Sequence, residues 1–332
     1  MAVQDLPTEV AIVLYPGAAP ATVHGLTDLF AVASTVSRQN GAAAALRVSH
    51  WQPKAACDDV ECVFDTHAER TNAPAAVIVP GSWQGEPPSD VIACLVQWLG
   101  RRHAAGSTLC SVCGGAFILA QSGLLAGRAV TTHWSFTQAL AERFPDLQVD
   151  EKRITIEDGN FITAGGVLAW TDLGLKLVDR YLGSAVMLET ARYMLADPPG
   201  REQRYYSSFS PRLNHGDAAV LKVQNWLQTR SAIQPSIAQM AAVSRLQERT
   251  FLRRFEKATG LKPTEYCQRL KVGKAREILE CSSQSISEIA WAVGYQDPGS
   301  FRRIFRKVVG LSPAEYRQRF ALGRSPPNPA AS

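Results

Sequence analysis

Short apolar runs alternate with longer stretches of helical periodicity over the first two hundred residues. EVAIVLY (9–15) and AAVIVPG (75–81) are continuous apolar runs that end at or near proline and glycine, which is typical of buried strands. ATVHGLTDLFAVAS (21–34) and VIACLVQWLGRR (91–102) instead carry apolar residues at helical spacing. This order of strands and helices predicts an α/β fold, a mostly parallel sheet with helices on both faces.

The last third of the chain has a different pattern, because it repeats itself. Residues 237–269 and 286–319 carry the same residues in the same order, first at an offset of 49 and then at an offset of 50. The matched pairs include Ile237 and Ile286, Ala241 and Ala290, Phe251 and Phe301, Arg253 and Arg303, Phe255 and Phe305, Gly260 and Gly310, and Tyr266 and Tyr316. An internal repeat of this length indicates two copies of one supersecondary unit.

Each copy is predicted to be a helix-turn-helix within an all-α domain. In the second copy Gly294 supplies the turn, and Asp297 followed by Pro298 begins the next helix as its N-cap and first residue. The first copy has Arg245 in its turn and no glycine, and Leu252 is expected to be buried with its phenylalanines. A basic amphipathic second helix of this kind can enter the major groove of DNA. The predicted DNA-binding residues are Gln247, Glu248, Arg249, Thr250, Arg253, Lys257, Gln296, Pro298, Gly299, Ser300, Arg302, Arg303 and Arg306.

Charge separates the two parts of the chain. Residues 1–200 contain 13 Lys and Arg against 20 Asp and Glu, whereas residues 201–332 contain 22 against 10. Only the second part is therefore expected to meet a polyanion. The seven cysteines have irregular spacing, so we expect reduced thiols. No apolar stretch approaches the roughly 20 residues of a membrane span, and the N-terminus does not have the pattern of a secretory leader, so we expect no membrane span and a cytoplasmic location.

The repeated pattern A-x(8,9)-F-x-R-x-F-x(4)-G-x-x-P-x-x-Y resembles the AraC/XylS DNA-binding domain over residues 217–320. The resemblance implies recognition helices near 247–257 and 298–308, joined by a connecting helix near 264–280. It also implies a double-stranded promoter site as partner, activation of transcription and contact with RNA polymerase. Gln247 departs from the family, in which many members place a serine as the helix N-cap.

Residues 107–119, STLCSVCGGAFIL, change from an apolar run to a helical pattern at Cys113. A cysteine followed by two glycines at this change is typical of a strand-to-helix elbow. The segment 80–83 and the elbow both follow predicted strands, and parallel sheets bind ligands beyond the carboxyl ends of their strands. The predicted ligand-binding residues are Gly81, Ser82, Trp83, Cys113, Gly114, His133 and Trp134.

The elbow, with the sequence that follows it, resembles the class I glutamine-amidotransferase-like fold, which is flavodoxin-like, in its PfpI and isocyanide-hydratase branch. Joined to an AraC/XylS domain, it resembles the GlxA-type regulators. The resemblance implies a sensor domain over 1–195 that binds a small nitrogenous metabolite and forms a homodimer. Residues 196–216 are the expected linker, 217–320 the DNA-binding domain, and 321–332 a disordered tail.

Whether Cys113 performs chemistry is a separate question. Active relatives place an acid four residues before a position that corresponds here to Leu26, which gives the neutral Thr22, and PfpI-type peptidases place a histidine where this chain has Gly114. The helix after the elbow is expected to lower the pKa of the Cys113 thiol. We therefore predict a protein that is not an enzyme. The alternative is a cysteine-dependent hydrolase or hydratase with Cys113 and His133 as its catalytic residues, and a third hypothesis is an architectural DNA-binding protein.

No cofactor or metal is expected. The chain contains neither G-x-G-x-x-G nor a phosphate-binding loop, so the sequence does not indicate a nucleotide cofactor. Cys57, Cys62 and His67 form a loose group that lacks the second close pair of ligands typical of zinc sites.

Overall fold

The computed structural model describes residues 7–42, 44–68, 73–200, 202–229 and 235–321. The chain divides into two compact units, the first ending at Gln203 and the second beginning at Arg204. The division lies inside the segment 196–216, which composition marks as a linker. Of the predicted tail, residues 322–332 lie outside the described residues.

The first unit is built on a seven-stranded sheet. Its strand order is β3-β2-β1-β4-β5-β9-β8, with the five central strands parallel and the two edge strands, β3 and β8, antiparallel to their neighbours. A second sheet contains only β6 and β7. The described strands are β1 (Thr8–Val13), β2 (Leu46–Pro53), β3 (Val60–Asp65), β4 (Ala76–Val79), β5 (Thr108–Val112), β6 (Ala129–Val130), β7 (Gln148–Val149), β8 (Thr155–Asp158) and β9 (Phe161–Ala164).

Helices cover both faces of the large sheet. In β1, Val10 and Ile12 pack in one hydrophobic core, whereas Ala11 and Val13 pack in the other. A strand that is buried on both faces requires apolar residues at every position, which explains the continuous apolar runs in the sequence. The helices of this unit are α1 (Pro20–Gln39), α2 (Ser89–Ala104), α3 (Gly115–Gln121), α4 (Thr137–Arg143), α5 (Trp170–Leu182) and α6 (Ser184–Tyr193). Short 3₁₀ helices span Trp134–Phe136, Val167–Ala169 and Gln203–Tyr205.

The second unit is entirely helical in its described residues and has two hydrophobic cores. Its helices are α7 (Ala218–Thr229), α8 (Ile237–Ser244), α9 (Glu248–Thr259), α10 (Pro263–Cys281), α11 (Ile286–Ala292), α12 (Pro298–Val309) and α13 (Pro313–Phe320). One end of α10 contributes Tyr266 to the first core, and its other end contributes Ala275 to the second. The two helix-turn-helix copies, α8–α9 and α11–α12, are therefore joined through one shared helix, and the predicted fold class is confirmed.

The two copies differ at the start of their second helices. Asp297 caps α12, because its carboxylate accepts hydrogen bonds from the N–H groups of Gly299 and Ser300 at 2.9 and 2.8 Å. Gln247 precedes α9 and makes no capping hydrogen bond with its side chain. An uncapped first turn leaves N–H groups without an intrahelical partner, so α9 begins less firmly than α12.

The inward stripe of α9 is narrower than the sequence suggested. Phe251, Phe255 and Ala258 are buried, but Leu252 is 38% exposed, so its predicted burial is wrong. Positions 251, 255 and 258 follow one face of a helix, and residue 252 lies about 100° around the axis from Phe251.

The turn of the first copy uses a left-handed arginine where the second copy uses glycine. Arg245 has φ 57° and Gly294 has φ 80°, and the two residues correspond at the offset of 49. A residue with a Cβ atom is disfavoured in this conformation by roughly 1–2 kcal/mol. The first copy therefore carries backbone strain that the second copy avoids.

Replacing Arg245 by glycine should relieve this strain. We expect Arg245→Gly to raise the free energy of unfolding of the second unit by on the order of 0.5–1 kcal/mol, after allowing for the greater backbone entropy of glycine in the unfolded chain. The matched variant Gly294→Ala should lower it by a similar amount. Urea denaturation measures both, and a lower stability for Arg245→Gly would contradict this account of the turn.

Candidate functional site

Cys113 occupies a strained backbone position at the end of β5. Its φ is 53°, a left-handed value that is uncommon for a residue with a side chain. Its N–H donates to the carbonyl of Ala164 at 2.8 Å, and its own carbonyl accepts a hydrogen bond from the Thr132 hydroxyl at 2.8 Å. These two hydrogen bonds hold the elbow in a conformation that the isolated chain would avoid.

Two glycines provide the space that the elbow needs. A Cβ atom on Gly115 would lie 2.3 Å from the carbonyl oxygen of Val79, a distance that no real contact allows. A Cβ atom on Gly81 would lie 3.0 Å from the Cβ of Cys113. The end of β4 and the start of α3 therefore pack backbone against backbone beside the thiol.

A cavity of about 110 Å³ opens at this elbow. Its lining residues are Ala19, Thr22, Gly81, Ser82, Trp83, Cys113, His133, Ser135, Phe136 and Val167. Five of the seven predicted ligand-binding residues are thus brought together around one space. The other two are adjacent to it in the chain, and the ring of one of them, Trp134, lies 5.2 Å from the His133 ring.

Some lining residues lie outside the predicted ligand-binding set and come from α1 and two short 3₁₀ helices, or precede α1: Ala19, Thr22, Ser135, Phe136 and Val167. Ala19 and Thr22 belong to the segment after β1, where the Ala19 N–H donates to the carbonyl of Gly81 at 2.8 Å. The apolar run that ends at Pro16 was the available signal, because β1 is a third strand whose carboxyl end meets the same edge of the sheet. Phe136 and Val167 carry no comparable signal in the sequence.

Among the described residues that line the cavity, none is Asp, Glu, Lys or Arg, and the titratable ones are Cys113 and His133. Burial raises the pKa of the Cys113 thiol, and a hydrogen bond from the Gly114 N–H offsets only part of this effect. The expectation that the following helix would lower the thiol pKa is therefore wrong, because desolvation outweighs it. Burial also lowers the pKa of His133, which favours its neutral imidazole.

The hydrogen bonds of His133 indicate which of its two ring nitrogens carries the proton. Its Nδ1 accepts a hydrogen bond from the Ser135 N–H at 3.2 Å and lies 2.7 Å from the Ser135 hydroxyl. An Nδ1 that accepts leaves the proton of the neutral ring on Nε2. His133 therefore caps a short 3₁₀ helix and presents a donor as its remaining ring nitrogen, whereas a thiol requires an acceptor for its proton.

Thr22 lies in the cavity at the position where active relatives were expected to place an acid. It is buried at 1% exposure and carries no ionisable group. In the described residues, the hydrogen bonds that we find at the thiol involve only the Gly114 backbone. The arrangement can bind a small molecule against an uncharged wall, but it does not contain the proton acceptor that would activate Cys113.

The second unit presents its basic residues on the outer faces of α9 and α12. Phe251 and Phe255 are buried beneath α9, and Phe301 and Phe305 are buried beneath α12, which turns the remaining positions of both helices outward. No predicted DNA-binding residue is buried. Those that are exposed or half-buried are Gln247, Glu248, Arg249, Thr250, Arg253, Lys257, Gln296, Pro298, Gly299, Ser300, Arg302, Arg303 and Arg306.

In the described ranges, no three His, Cys, Asp or Glu residues lie close enough together to hold a metal ion, and this includes the group at Cys57, Cys62 and His67. None of the helices within these ranges combines the length and apolar character needed to cross a membrane.

A different protein-family model matches part of each unit. The DJ-1/PfpI family model matches residues 27–180, and a helix-turn-helix domain model matches residues 240–319. The transcriptional regulator CdhR of Pseudomonas aeruginosa is 27% identical over 216 residues, which cover 64% of this chain and 63% of that protein. The regulator GlxA of Rhizobium meliloti is 31% identical over 207 residues, which cover 60% of this chain and 62% of that protein. These matches span about three fifths of the length of the relatives.

Among solved structures, Drosophila melanogaster DJ-1beta is 19% identical, with a TM-score of 0.42, and covers 58% of this chain and 100% of that one. The fold and the site together define a class: an α/β domain with an elbow cavity, followed by a helical domain with two helix-turn-helices. The chain is thus similar to the DJ-1/PfpI family over residues 27–180 and to helix-turn-helix domains over residues 240–319, and the predicted resemblance to GlxA-type regulators is confirmed.

The raised pKa of Cys113 predicts how the thiol reacts. Because the thiolate is the reactive form, the alkylation rate of Cys113 by iodoacetamide should still rise with pH above pH 9, and peptide mapping by mass spectrometry measures it. A free peptide of sequence SVCGG is the control, with an ordinary thiol pKa of about 8.5. A rate that levels off below pH 8 would show an activated cysteine and would contradict this account.

Proposed function

We propose that the protein is a transcriptional regulator that binds double-stranded promoter DNA through its second unit and a small effector in its elbow cavity. The observation that carries the proposal is the pair of helix-turn-helices with exposed, basic second helices. α9 carries Arg249, Arg253 and Lys257 at four-residue intervals on one exposed stripe. α12 carries Arg303 and Lys307 at the positions of Arg253 and Lys257, with Gly299 in place of Arg249. The Arg303 guanidinium lies 3.0 Å from the Ser300 hydroxyl.

The chemistry of these helices suits the major groove. Arginine recognises the O6 and N7 acceptors of guanine with two hydrogen bonds, and it also pairs with phosphates. The two buried phenylalanines in each helix fix the rotation of the helix, so that the arginines are held outward before DNA binds. Pre-organisation of this kind reduces the entropy lost on binding.

Arg253 and Arg303 are the variants that test DNA binding. We expect Arg253→Gln and Arg303→Gln each to raise the Kd for a selected DNA site about 10- to 100-fold, the effect of losing one base-contacting arginine. Fluorescence anisotropy measures the Kd at several salt concentrations, and affinity in the wild type should fall steeply with salt. Arg38→Gln, an exposed arginine of α1, is the matched control and should leave the Kd unchanged. Unchanged binding in both test variants would contradict the groove assignment.

The cavity favours a small nitrogenous effector. Trp83 and Phe136 supply aromatic surface at its walls, and Trp83 is 68% exposed. Aromatic faces attract alkylated or protonated amines, and this attraction offsets part of the cost of removing the cation from water. An amino acid, a betaine or a related amine has the size and chemistry that this space accepts.

The enzyme alternative predicts turnover and the regulator does not. Its two required features, a lowered thiol pKa and a proton acceptor, are replaced here by a raised pKa and by Thr22. A Cys113 that contributes shape to the cavity is consistent with a binding role.

A melting-temperature screen distinguishes the two hypotheses. We expect a small amine, amino acid or betaine to raise the melting temperature of wild type and Cys113→Ser alike, because a bound ligand raises the free energy of unfolding by roughly RT ln(1 + [L]/Kd). The compound should be recovered intact. Trp83→Ala should weaken the shift, and Trp291→Ala, an exposed tryptophan of α11, is its control. Consumption of the compound by wild type alone would support the hydrolase or hydratase.

Dimerisation and activation complete the proposal. Large apolar side chains are exposed on and just after α6, where Tyr193 is 75% and Leu195 is 94% exposed, which supports self-association through the first unit. Effector binding would shift the homodimer toward an arrangement in which both DNA-binding units engage and contact RNA polymerase.

A further inference from the structure

The last residue of the first unit is anchored inside that unit. Gln203 is 2% exposed, and its Nε2 lies 2.9 Å from the Thr131 hydroxyl, 3.0 Å from the Thr132 carbonyl and 3.1 Å from the Arg153 carbonyl. Its N–H also donates to the carbonyl of Lys152 at 2.9 Å. A residue in a free linker would be solvated, so this burial requires a specific reason.

Thr132 joins this anchor to the elbow cavity. Its hydroxyl donates to the carbonyl of Cys113 at 2.8 Å, and its own carbonyl accepts from the Gln203 amide. Both Thr132 and Cys113 are buried, so water does not compete for these hydrogen bonds. One residue and two hydrogen bonds therefore connect the cavity floor with the exit of the chain.

The anchor is incomplete in a way that weakens it. The Oε1 of Gln203 is buried and has no hydrogen-bond partner in the part of the chain that the structure describes. A buried carbonyl oxygen without a donor costs free energy, because it loses its hydrogen bonds to water. Gly165 lies directly beside it, since a Cβ atom there would be 2.6 Å from Oε1. The amide is held on one side only and can be displaced by a small change in its surroundings.

The next residues belong to the second unit and are held there by its connecting helix. Arg276 of α10 donates to the carbonyl of Tyr205 at 2.7 Å and to the carbonyl of Ser207, and its Nε donates to the Tyr316 hydroxyl at 2.8 Å. Along the chain, only Arg204 stands between Gln203 and the first of these contacts. The chain therefore passes within two residues from hydrogen bonds inside the first unit to hydrogen bonds inside the second.

We propose that Thr132 and Gln203 form a latch. Occupancy of the elbow cavity changes the hydrogen bond between these two residues, and this hydrogen bond restrains the chain where it enters the DNA-binding unit. The proposal rests on the proposed function in requiring that the cavity takes up a ligand. A ligand that moves the Cys113 carbonyl changes the position of Thr132, and with it the hydrogen bond that retains Gln203. The mobility of residues 202–208, which lead into the second unit, then depends on whether the cavity is occupied.

The experiment fills the cavity with a small covalent probe, because the effector is unidentified. In full-length protein carrying Cys57→Ser, Cys62→Ser, Cys94→Ala, Cys267→Ala and Cys281→Ser, Cys113 and the fully buried Cys110 are the remaining thiols. Methyl methanethiosulfonate forms a methyl disulfide on Cys113 and releases methanesulfinate, and peptide mapping confirms that Cys113 is the labelled residue. Hydrogen exchange followed by mass spectrometry then reports on peptides that cover 113–121 and 202–208. The same background carries Gln203→Met, Thr132→Val or the control Gln148→Met, in which an exposed glutamine loses its bond to the Gly127 carbonyl.

The latch predicts a specific pattern. The adduct changes exchange in 202–208 by about threefold or more in the parent and in Gln148→Met, as expected when a hydrogen bond of this kind is altered. Gln203→Met exchanges faster in 202–208 before labelling, and the adduct adds nothing further. Thr132→Val retains slow exchange in 202–208 but loses the response to the adduct. Thermal melts confirm that each variant is folded.

Two results would overturn the latch. An adduct that alters exchange in 113–121 of the parent but leaves 202–208 unchanged would show that the elbow and the exit are uncoupled. Exchange in 202–208 that is the same in Gln203→Met as in the parent would show that the anchor does not hold the chain. Neither result involves DNA or an effector, so failure of the latch is distinguishable from failure of the proposed function, which loss of DNA binding would reveal.

Discussion

The close approach of β4 and α3 around Cys113 is the constraint on which the first unit depends. Val79 and Pro80 leave no room for a side chain at Gly115, so the chain must turn tightly there and force Cys113 into its left-handed conformation. The turn opens a cavity at the carboxyl edge of the sheet, and it also turns the Cys113 carbonyl toward Thr132. One backbone constraint thereby creates both the space for a ligand and the route by which its occupancy reaches Gln203.

In the second unit the corresponding constraint is the shared helix α10. It contributes to both hydrophobic cores, and Lys271 near its middle donates to the carbonyl of Gly294 in the turn of the second copy at 3.0 Å. Two short helix-turn-helices could not each bury enough apolar surface alone, so the rigid connection is a condition for their stability. It also fixes the distance between α9 and α12, the two helices that we propose contact DNA.

Sequence patterns predicted the elements that are buried on both faces or repeated, and they missed those decided by tertiary contacts. The apolar run of β1 and the repeat around Phe301 are visible in the sequence because every position reports burial or spacing. The edge strand β3 escaped prediction because only Val60 is fully buried, residues 61–64 are exposed, and the half-buried Asp65 is polar. In the cavity, Cys113 and Gly81 were predictable from turn chemistry. Phe136 was not, since nothing local indicates that its loop returns to the elbow.

The central claim is that both helix-turn-helices of one DNA-binding unit engage successive major grooves on one face of the duplex. Hydroxyl-radical footprinting of the full-length protein on a selected site tests it most directly. The account predicts two windows of protection for each bound unit, separated by about one helical turn of 10–10.5 base pairs. A single window, or uniform protection along the site, would contradict the account and would leave the repeated copy without the role that its exposed arginines indicate.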